Sequence, residues 1–225
     1  MTATTASPDS LLPLDGIDDP VLPDFRFETA YWKDGFRNVA GVDEAGRGPL
    51  AGPVVAAAVI LSPERVPDGL NDSKKLSAGR RERLHGEIMD SALAVSVTSL
   101  CAESIDDSDI LRASLEAMRR AVAGLAVAAD SALIDGRDVP PGLALRAAPR
   151  AVIRGDSRSL SIAAASVIAK VTRDRMMARL GPHHPHYGLE RHMGYGCKAH
   201  RDAIGSHGGV RRVHRFTFSP LKPRT

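Results

Sequence analysis

The most constraining feature of the sequence is a pair of apolar runs on either side of a cluster of glycine and proline. The first run, residues 38–44, predicts a strand, and the second run, residues 54–61, predicts another. The stretch between them, residues 45–53, is rich in glycine and proline, which favour a turn. The sequence therefore predicts that a hairpin of two strands opens the folded part of the chain.

Strand and helix patterns alternate after this hairpin. The predicted elements, in order, are a helix at 77–92, a strand at 93–99, one long helix at 104–125, short strands at 132–135 and 151–154, and a helix at 159–180. This order predicts an α/β domain with a mixed central sheet flanked by helices.

Composition divides the chain into three regions. Residues 1–36 are rich in threonine, serine, proline and aspartate, which predicts a flexible N-terminal tail, with aromatic residues near its end packing on the core. Residues 37–181 form the predicted main domain. Residues 182–225 are rich in glycine, histidine and proline, and we expect a small C-terminal appendage with one short helix near 198–204.

Bulk properties exclude several classes of protein. The longest apolar stretch, residues 54–61, is far shorter than the roughly 20 residues of a membrane span. Cys101 and Cys197 show no paired metal-ligand spacing, so we expect free thiols in a reducing cytoplasm and no attachment to a membrane. Arginines crowd toward the C-terminus, which fits either a polyanionic partner or an ordinary solvated surface.

Four acidic residues stand where predicted strands end. Asp43 and Glu44 end the first strand, and Asp135 and Asp156 each follow a short apolar run. Ligands of α/β sheets bind beyond the carboxyl ends of strands, so we expect these acids to meet. Four adjacent carboxylates repel one another unless divalent cations neutralise them. Taken singly, each acid is as compatible with a structural role, in a solvated turn or a helix cap, as with metal binding.

The glycines at positions 46, 48 and 52 form a loop directly after the first acidic pair. Their spacing is not that of a dinucleotide-binding loop, and no helix pattern follows, so we expect no nucleotide cofactor. Glycine does allow backbone amides to approach a sugar or a phosphate closely.

The segment at 41–53, Gly-Val-Asp-Glu-Ala-Gly-Arg-Gly-Pro-Leu-Ala-Gly-Pro, resembles the opening motif of bacterial ribonuclease HII, the type 2 ribonuclease H. The resemblance extends from about residue 39 to residue 220. Further segments that resemble the successive motifs of that family lie, in order, at 72–77, 134–136, 155–157, 163–174, 184–188, 192–195 and 214–220.

This resemblance implies a ribonuclease H fold and an endonuclease that cuts the RNA strand of RNA/DNA hybrids and single ribonucleotides embedded in duplex DNA. It implies two Mg²⁺ or Mn²⁺ ions, products with 5′-phosphate and 3′-hydroxyl ends, and roles in ribonucleotide excision repair and DNA replication. The positions that match the family's catalytic metal ligands are Asp43, Glu44, Asp135 and Asp156.

The resemblance also suggests residues that bind substrate. Gly46, Arg47 and Gly48 match the loop whose backbone senses the ribose 2′-hydroxyl, and Tyr195 matches the tyrosine that packs on the next deoxyribose. The cations predicted to contact phosphates are Lys74, Lys75, Lys170 and Arg173. We expect His214 and Arg215 to hold the C-terminal segment in place. The chain departs from the family at Met193, where a lysine is common, so that a cationic contact is missing.

Two other functions remain open on the residues alone. A non-catalytic nucleic-acid-binding module would use the basic C-terminal half, and a cofactor-dependent oxidoreductase would use the glycine loop. Neither needs four acids at strand ends, so the prediction is a monomeric, metal-dependent nuclease.

Overall fold

The structure, a computed structural model, describes residues 22–222. The strands are β1 (Val39–Ala45), β2 (Val54–Ile60), β3 (Ala94–Leu100), β4 (Ser131–Asp135) and β5 (Arg150–Val152). The helices are α1 (Arg26–Lys33), α2 (Ala78–Ser91), α3 (Ala102–Asp106), α4 (Ile110–Ala123), α5 (Leu160–Leu180), α6 (Leu189–His192) and α7 (Lys198–His207). Short 3₁₀ turns lie at Ser73–Lys75, Gly155–Ser157 and Gly181–His183. None of the helices in this part of the chain has the length and apolar character needed to cross a membrane.

The five strands form one mixed sheet in the order β3-β2-β1-β4-β5. β1, β2 and β3 are antiparallel neighbours, as the predicted hairpin requires. β4 runs parallel to β1, and β5 runs parallel to β4. Because β1, β4 and β5 point the same way, their carboxyl ends lie at one edge of the sheet. The predicted mixed sheet flanked by helices is confirmed.

Helix α5 packs directly against the central strand β1. A side chain at Gly41 in β1 would place its Cβ 2.0 Å from the backbone of Ser161, so only glycine allows this approach. Ala163, Ala164 and Ala165 of α5 are fully buried for the same reason, since small side chains let the helix sit close to the sheet. Helix α4 covers the opposite face through Ala117 and other small residues.

The prediction of one continuous helix at residues 104–125 is wrong. The structure contains α3 and α4 instead, separated by a break at residues 107–109. Asp109 has extended backbone and accepts a hydrogen bond from the amide of Arg112, which starts a new helix. The apolar positions that predicted the helix begin at Ile110, after the break, and residues 106–109 are all polar, so the apolar spacing did not extend to this point.

A flexible tail was predicted for residues 1–36. Residues 1–21 lie outside the described residues, and the structure differs from the prediction in the remaining part. Residues 26–33 form α1, whose Phe27 and Tyr31 are buried. The Tyr31 hydroxyl donates to the carbonyl of Ala148, and buried Glu28 accepts from the Ser159 hydroxyl at 2.7 Å. These contacts fix the segment to the main domain.

The C-terminal segment packs on the main domain. Tyr187, Ile204 and Val213 form one apolar cluster with Leu50 of the glycine loop and Met177 of α5. The short helix predicted near 198–204 is confirmed as α7. This packing brings the C-terminal segment next to the edge of the sheet where β1 ends.

Candidate active site

Three of the four predicted acids converge at the carboxyl edge of the sheet. Carboxylate oxygens of Asp43, Asp135 and Asp156 all lie within 4.8 Å of one another. Glu44 lines the same pocket, but its Oε1 accepts a hydrogen bond from Arg47 Nη1 at 3.3 Å and does not join this trio. Residues more than 110 positions apart in sequence thus share one site.

Parallel pairing and one short turn bring the acids together. Val42 of β1 lies opposite Ile134 of β4, so the next residues, Asp43 near the end of β1 and Asp135 at the end of β4, lie side by side. Asp135 Oδ1 accepts from the amide of Gly155 at 2.7 Å, which draws in the turn that carries Asp156. These backbone contacts set the positions of the acids.

Burial raises the pKa values of all four acids, and repulsion among them adds to this at Asp43 and Asp135. Burial raises the pKa of Asp43 well above its usual range, and the charges of Glu44, Asp135 and Asp156 add to this. The pKa of Asp135 rises to about 6, first through burial and then through its acidic neighbours. Burial also raises the pKa values of Glu44 and Asp156.

Such a site fits divalent cations with a preference for oxygen. Its ligand atoms are carboxylate oxygens alone, which suit Mg²⁺ and Mn²⁺ better than softer metals. An ion would offset the repulsion that raises these pKa values. Among residues 22–222, no other group of histidine, cysteine or acidic side chains has comparable geometry.

Lys74 and Asp72 stand beside the acids. Lys74 Nζ lies 3.4 Å from Asp156 Oδ2 and 4.0 Å from Asp72 Oδ1. The charge of Asp72 helps to raise the pKa of Asp156, so a fifth carboxylate contributes to the site. Sequence reasoning missed Asp72, although it lies in the 72–77 segment that supplied Lys74.

The acids open into a pocket of about 230 Å³. Its wall is lined by Asp43, Glu44, Ala45, Gly46, Arg47, Gly48, Ser73, Lys74, Asp135, Ser166, Lys170 and Tyr195. Tyr195 is 45% exposed, and Lys170 Nζ lies 6.0 Å from the centre of its ring. Ser73 and Ser166, hydrogen-bonded to each other at 2.8 Å, are further lining residues that were not predicted from the sequence.

The glycine loop presents two backbone amides next to this pocket. No group within residues 22–222 accepts a hydrogen bond from the backbone N–H of Arg47 or of Gly48. A Cβ added at Gly48 would meet no protein atom within 4 Å, so nothing inside the described protein requires glycine there. An external ligand that approaches the backbone would require it.

Two predicted phosphate contacts lie elsewhere than expected. Arg173 is fully buried, and its guanidinium donates to the carbonyls of Pro53, Met193 and Ala51, so a phosphate cannot reach it. That prediction is wrong because the arginine is needed inside the fold. Lys75 is exposed beside Lys74 but is not part of the pocket wall.

Comparisons with known proteins agree with this geometry. The sequence profile of the family described as Ribonuclease HII matches residues 40–220. The Ribonuclease HII of Chelativorans sp. (strain BNC1) is 61% identical over 205 residues, covering 91% of this chain and 80% of that protein. The crystal structure of ribonuclease H2 from Pyrococcus horikoshii OT3 superposes with a TM-score of 0.70 and 30% identity, covering 82% of this chain and 95% of that one.

A more distant structure shows the same fold. It is Bst-RNase HIII in complex with Mn²⁺, which superposes with a TM-score of 0.66 at 19% identity and covers 82% of this chain and 68% of that one.

Proposed function

The chain belongs to the ribonuclease HII family, whose members cleave RNA paired with DNA endonucleolytically, and we propose that it also cuts duplex DNA at single embedded ribonucleotides by a two-metal reaction. The observation that carries this proposal is the meeting of Asp43, Asp135 and Asp156 beside two backbone amides that have no hydrogen-bond acceptor within residues 22–222. The acids supply a place for cations, and the amides supply a place for a ribose.

The four acids, Asp43, Glu44, Asp135 and Asp156, are the proposed metal ligands and catalytic residues. Asp43 is the most central of them, since its side chain is buried and the charges of the other three all act on it. Two Mg²⁺ or Mn²⁺ ions bound there would activate a water and stabilise the leaving 3′-oxygen of an in-line displacement, giving 5′-phosphate and 3′-hydroxyl ends. The Mn²⁺ complex of Bst-RNase HIII supports this choice of ions.

Substrate choice rests on the loop at Gly46, Arg47 and Gly48. A 2′-hydroxyl is the group that distinguishes RNA from DNA at a fixed backbone position, and it accepts hydrogen bonds from amides. The amides of Arg47 and Gly48 are available for that contact. Tyr195 offers an exposed ring at the same pocket, on which the sugar of the following deoxynucleotide would pack.

Positive side chains at the rim would bind the backbone phosphates. Lys74 and Lys170 line the pocket, and exposed Lys75 lies next to it in sequence. Such contacts hold the duplex without reading its bases, which suits an enzyme that acts at any sequence. We propose that the enzyme acts on hybrids and on DNA containing ribonucleotides as a monomer in the cytoplasm.

The decisive experiment compares cleavage of three duplexes that share one sequence: an RNA/DNA hybrid, DNA with one ribonucleotide, and DNA with none. With Mg²⁺ or Mn²⁺ we expect cutting of the first two only, and none in the presence of a chelator. Asp135→Asn should abolish cutting, whereas the matched control Asp138→Asn, at an exposed position, should not. Wild-type rates for folded Asp135→Asn, or equal cutting of the third duplex, would refute the proposal.

A further inference from the structure

Two buried arginines lie beneath the glycine loop. Arg215 and Arg173 are both fully buried, and their guanidinium groups face backbone carbonyls. Arg215 donates to Gly46 O at 2.6 Å, to Arg47 O at 2.9 Å and to Gly52 O at 2.9 and 3.1 Å. Burial lowers the pKa of Arg215 to about 9, and the nearby charge of Arg173 adds to this. Burying two neighbouring cations is unfavourable unless each is hydrogen-bonded, and apolar side chains could be packed at these positions without that cost.

The peptide geometry turns this anchoring into an orientation of the loop. In a planar trans peptide the C=O and the N–H point in opposite directions. The carbonyls of Gly46 and Arg47 point at Arg215, so the N–H groups of the same two peptides, those of Arg47 and Gly48, point away from it. These are the two amides that have no partner within residues 22–222.

Arg173 fixes the loop from a second direction. Its nitrogens donate to Pro53 O at 3.0 Å, to Ala51 O at 3.1 Å and to Met193 O at 2.9 Å. Met193 lies two residues before Tyr195, so one guanidinium joins the glycine loop to the tyrosine segment. The contact is close, since a Cβ at Gly46 would lie 2.0 Å from Arg173 Nε.

We propose that Arg215 and Arg173 are positioning residues for ribose recognition, which hold the amides of Arg47 and Gly48 toward the 2′-hydroxyl and keep the loop in register with Tyr195. The inference rests on the proposed role of the loop. Lysine cannot replace either arginine, because a single ammonium does not span the separate carbonyls that the planar guanidinium fork reaches.

The test measures binding, in an Asp135→Asn background that leaves the duplex uncut. Fluorescence anisotropy gives Kd for a labelled duplex with one ribonucleotide and for the all-DNA duplex of the same sequence. The ratio of the two Kd values does not depend on the fraction of folded protein, because misfolded protein raises both apparent values equally. A purely structural role for the arginines would therefore leave the ratio unchanged.

We expect the parent to prefer the ribonucleotide duplex by at least about tenfold, the factor that one or two hydrogen bonds supply. Arg215→Lys should reduce this preference to less than about twofold by weakening ribonucleotide binding toward the affinity for DNA. The matched control is Arg212→Lys, which changes an exposed arginine of the same segment and should keep the parental ratio. Arg173→Lys is the second test variant and should act like Arg215→Lys.

Each other outcome contradicts a defined statement. A parental ratio retained by folded Arg215→Lys and folded Arg173→Lys overturns the positioning role alone. A parent that binds both duplexes equally refutes ribose recognition by the loop, and with it this inference. If circular dichroism shows that neither lysine variant folds, the arginines serve the fold as a whole and the positioning role is overturned.

Discussion

Gly48→Ala is the perturbation that most directly separates the stability of this protein from its function. Gly48 lies at the pocket, and a Cβ there would meet no protein atom within 4 Å. Its backbone does not need positive φ, so alanine fits the existing conformation. The added methyl group points at no part of the described protein, but it would stand where the ribose approaches the backbone.

Gly48→Ala should raise the stability of the protein and lower its catalytic efficiency. Alanine reduces the conformational freedom of the unfolded chain, which should raise the free energy of unfolding by about 0.4–1 kcal/mol. The methyl group should prevent the hydroxyl from reaching the amides of Arg47 and Gly48. Losing two hydrogen bonds of about 0.5–1.5 kcal/mol each lowers kcat/KM roughly 5- to 150-fold on a duplex with one ribonucleotide.

Thermal unfolding and initial cleavage rates, measured on the same preparations, test the expected gain in stability and the expected loss of kcat/KM. The matched control is Gly86→Ala on the exposed side of α2, where a Cβ also meets nothing within 4 Å. It should stabilise the protein by about 1 kcal/mol through helix propensity and leave kcat/KM unchanged. A Gly48→Ala enzyme with kcat/KM within twofold of wild type would show that the ribose does not approach this loop. A marked loss of stability would show instead that the fold itself needs this glycine.

Four further predictions concern charge in and around the pocket. Asp135→Asn should raise the melting temperature of the metal-free protein, because it removes repulsion between carboxylates and keeps the side-chain oxygen that accepts from the amide of Gly155. An unchanged or lower melting temperature in calorimetry would contradict this. Because the pKa of Asp135 is raised from 3.8 to about 6, the folded state holds this proton more tightly than the unfolded chain does, so metal-free stability should fall as the pH rises from about 4 through about 6. Mn²⁺ should accordingly bind more tightly at pH 8 than at pH 5 in titration calorimetry, and equal affinities would argue against carboxylate ligands. Lys170→Met should reduce the salt dependence of duplex affinity by a slope of about one, whereas Lys198→Met, at an exposed ion pair with Asp202, should leave it unchanged.

The acidic site could be predicted because few physical rules determine it. Asp43, Asp135 and Asp156 each follow an apolar run short enough to be a strand, and parallel strands of one sheet end at the same edge. The hairpin and the alternation of strands and helices then leave little choice in the arrangement. The meeting of these residues therefore follows from local patterns together with a general rule of α/β sheets.

Other features depend on partners that no local pattern reveals. Arg173 lies in a helix, and its sequence context does not distinguish an arginine at the surface from one buried against carbonyls 120 residues earlier. The break between α3 and α4 lies at the Asp109 cap, just before Ile110, the first of the apolar positions from which the single long helix was predicted. Helix α1 lies within a polar, proline-rich segment, and it is held by the burial of Phe27 and Tyr31.

The two halves of the proposed site are held by different kinds of interaction, and this should make their failures separable. The acids are attached to the ends of paired strands, where main-chain hydrogen bonds of the sheet determine their spacing. The ribose-binding amides belong to a loop without regular structure, whose conformation depends on side chains of α5 and the C-terminal segment. Disturbing Arg215 should therefore impair recognition of the 2′-hydroxyl while metal binding at Asp43 and Asp135 persists. Calorimetric titration of Arg215→Lys with Mn²⁺ would measure whether metal affinity is retained. A parallel loss of metal affinity would show that the conformations of the two halves depend on each other.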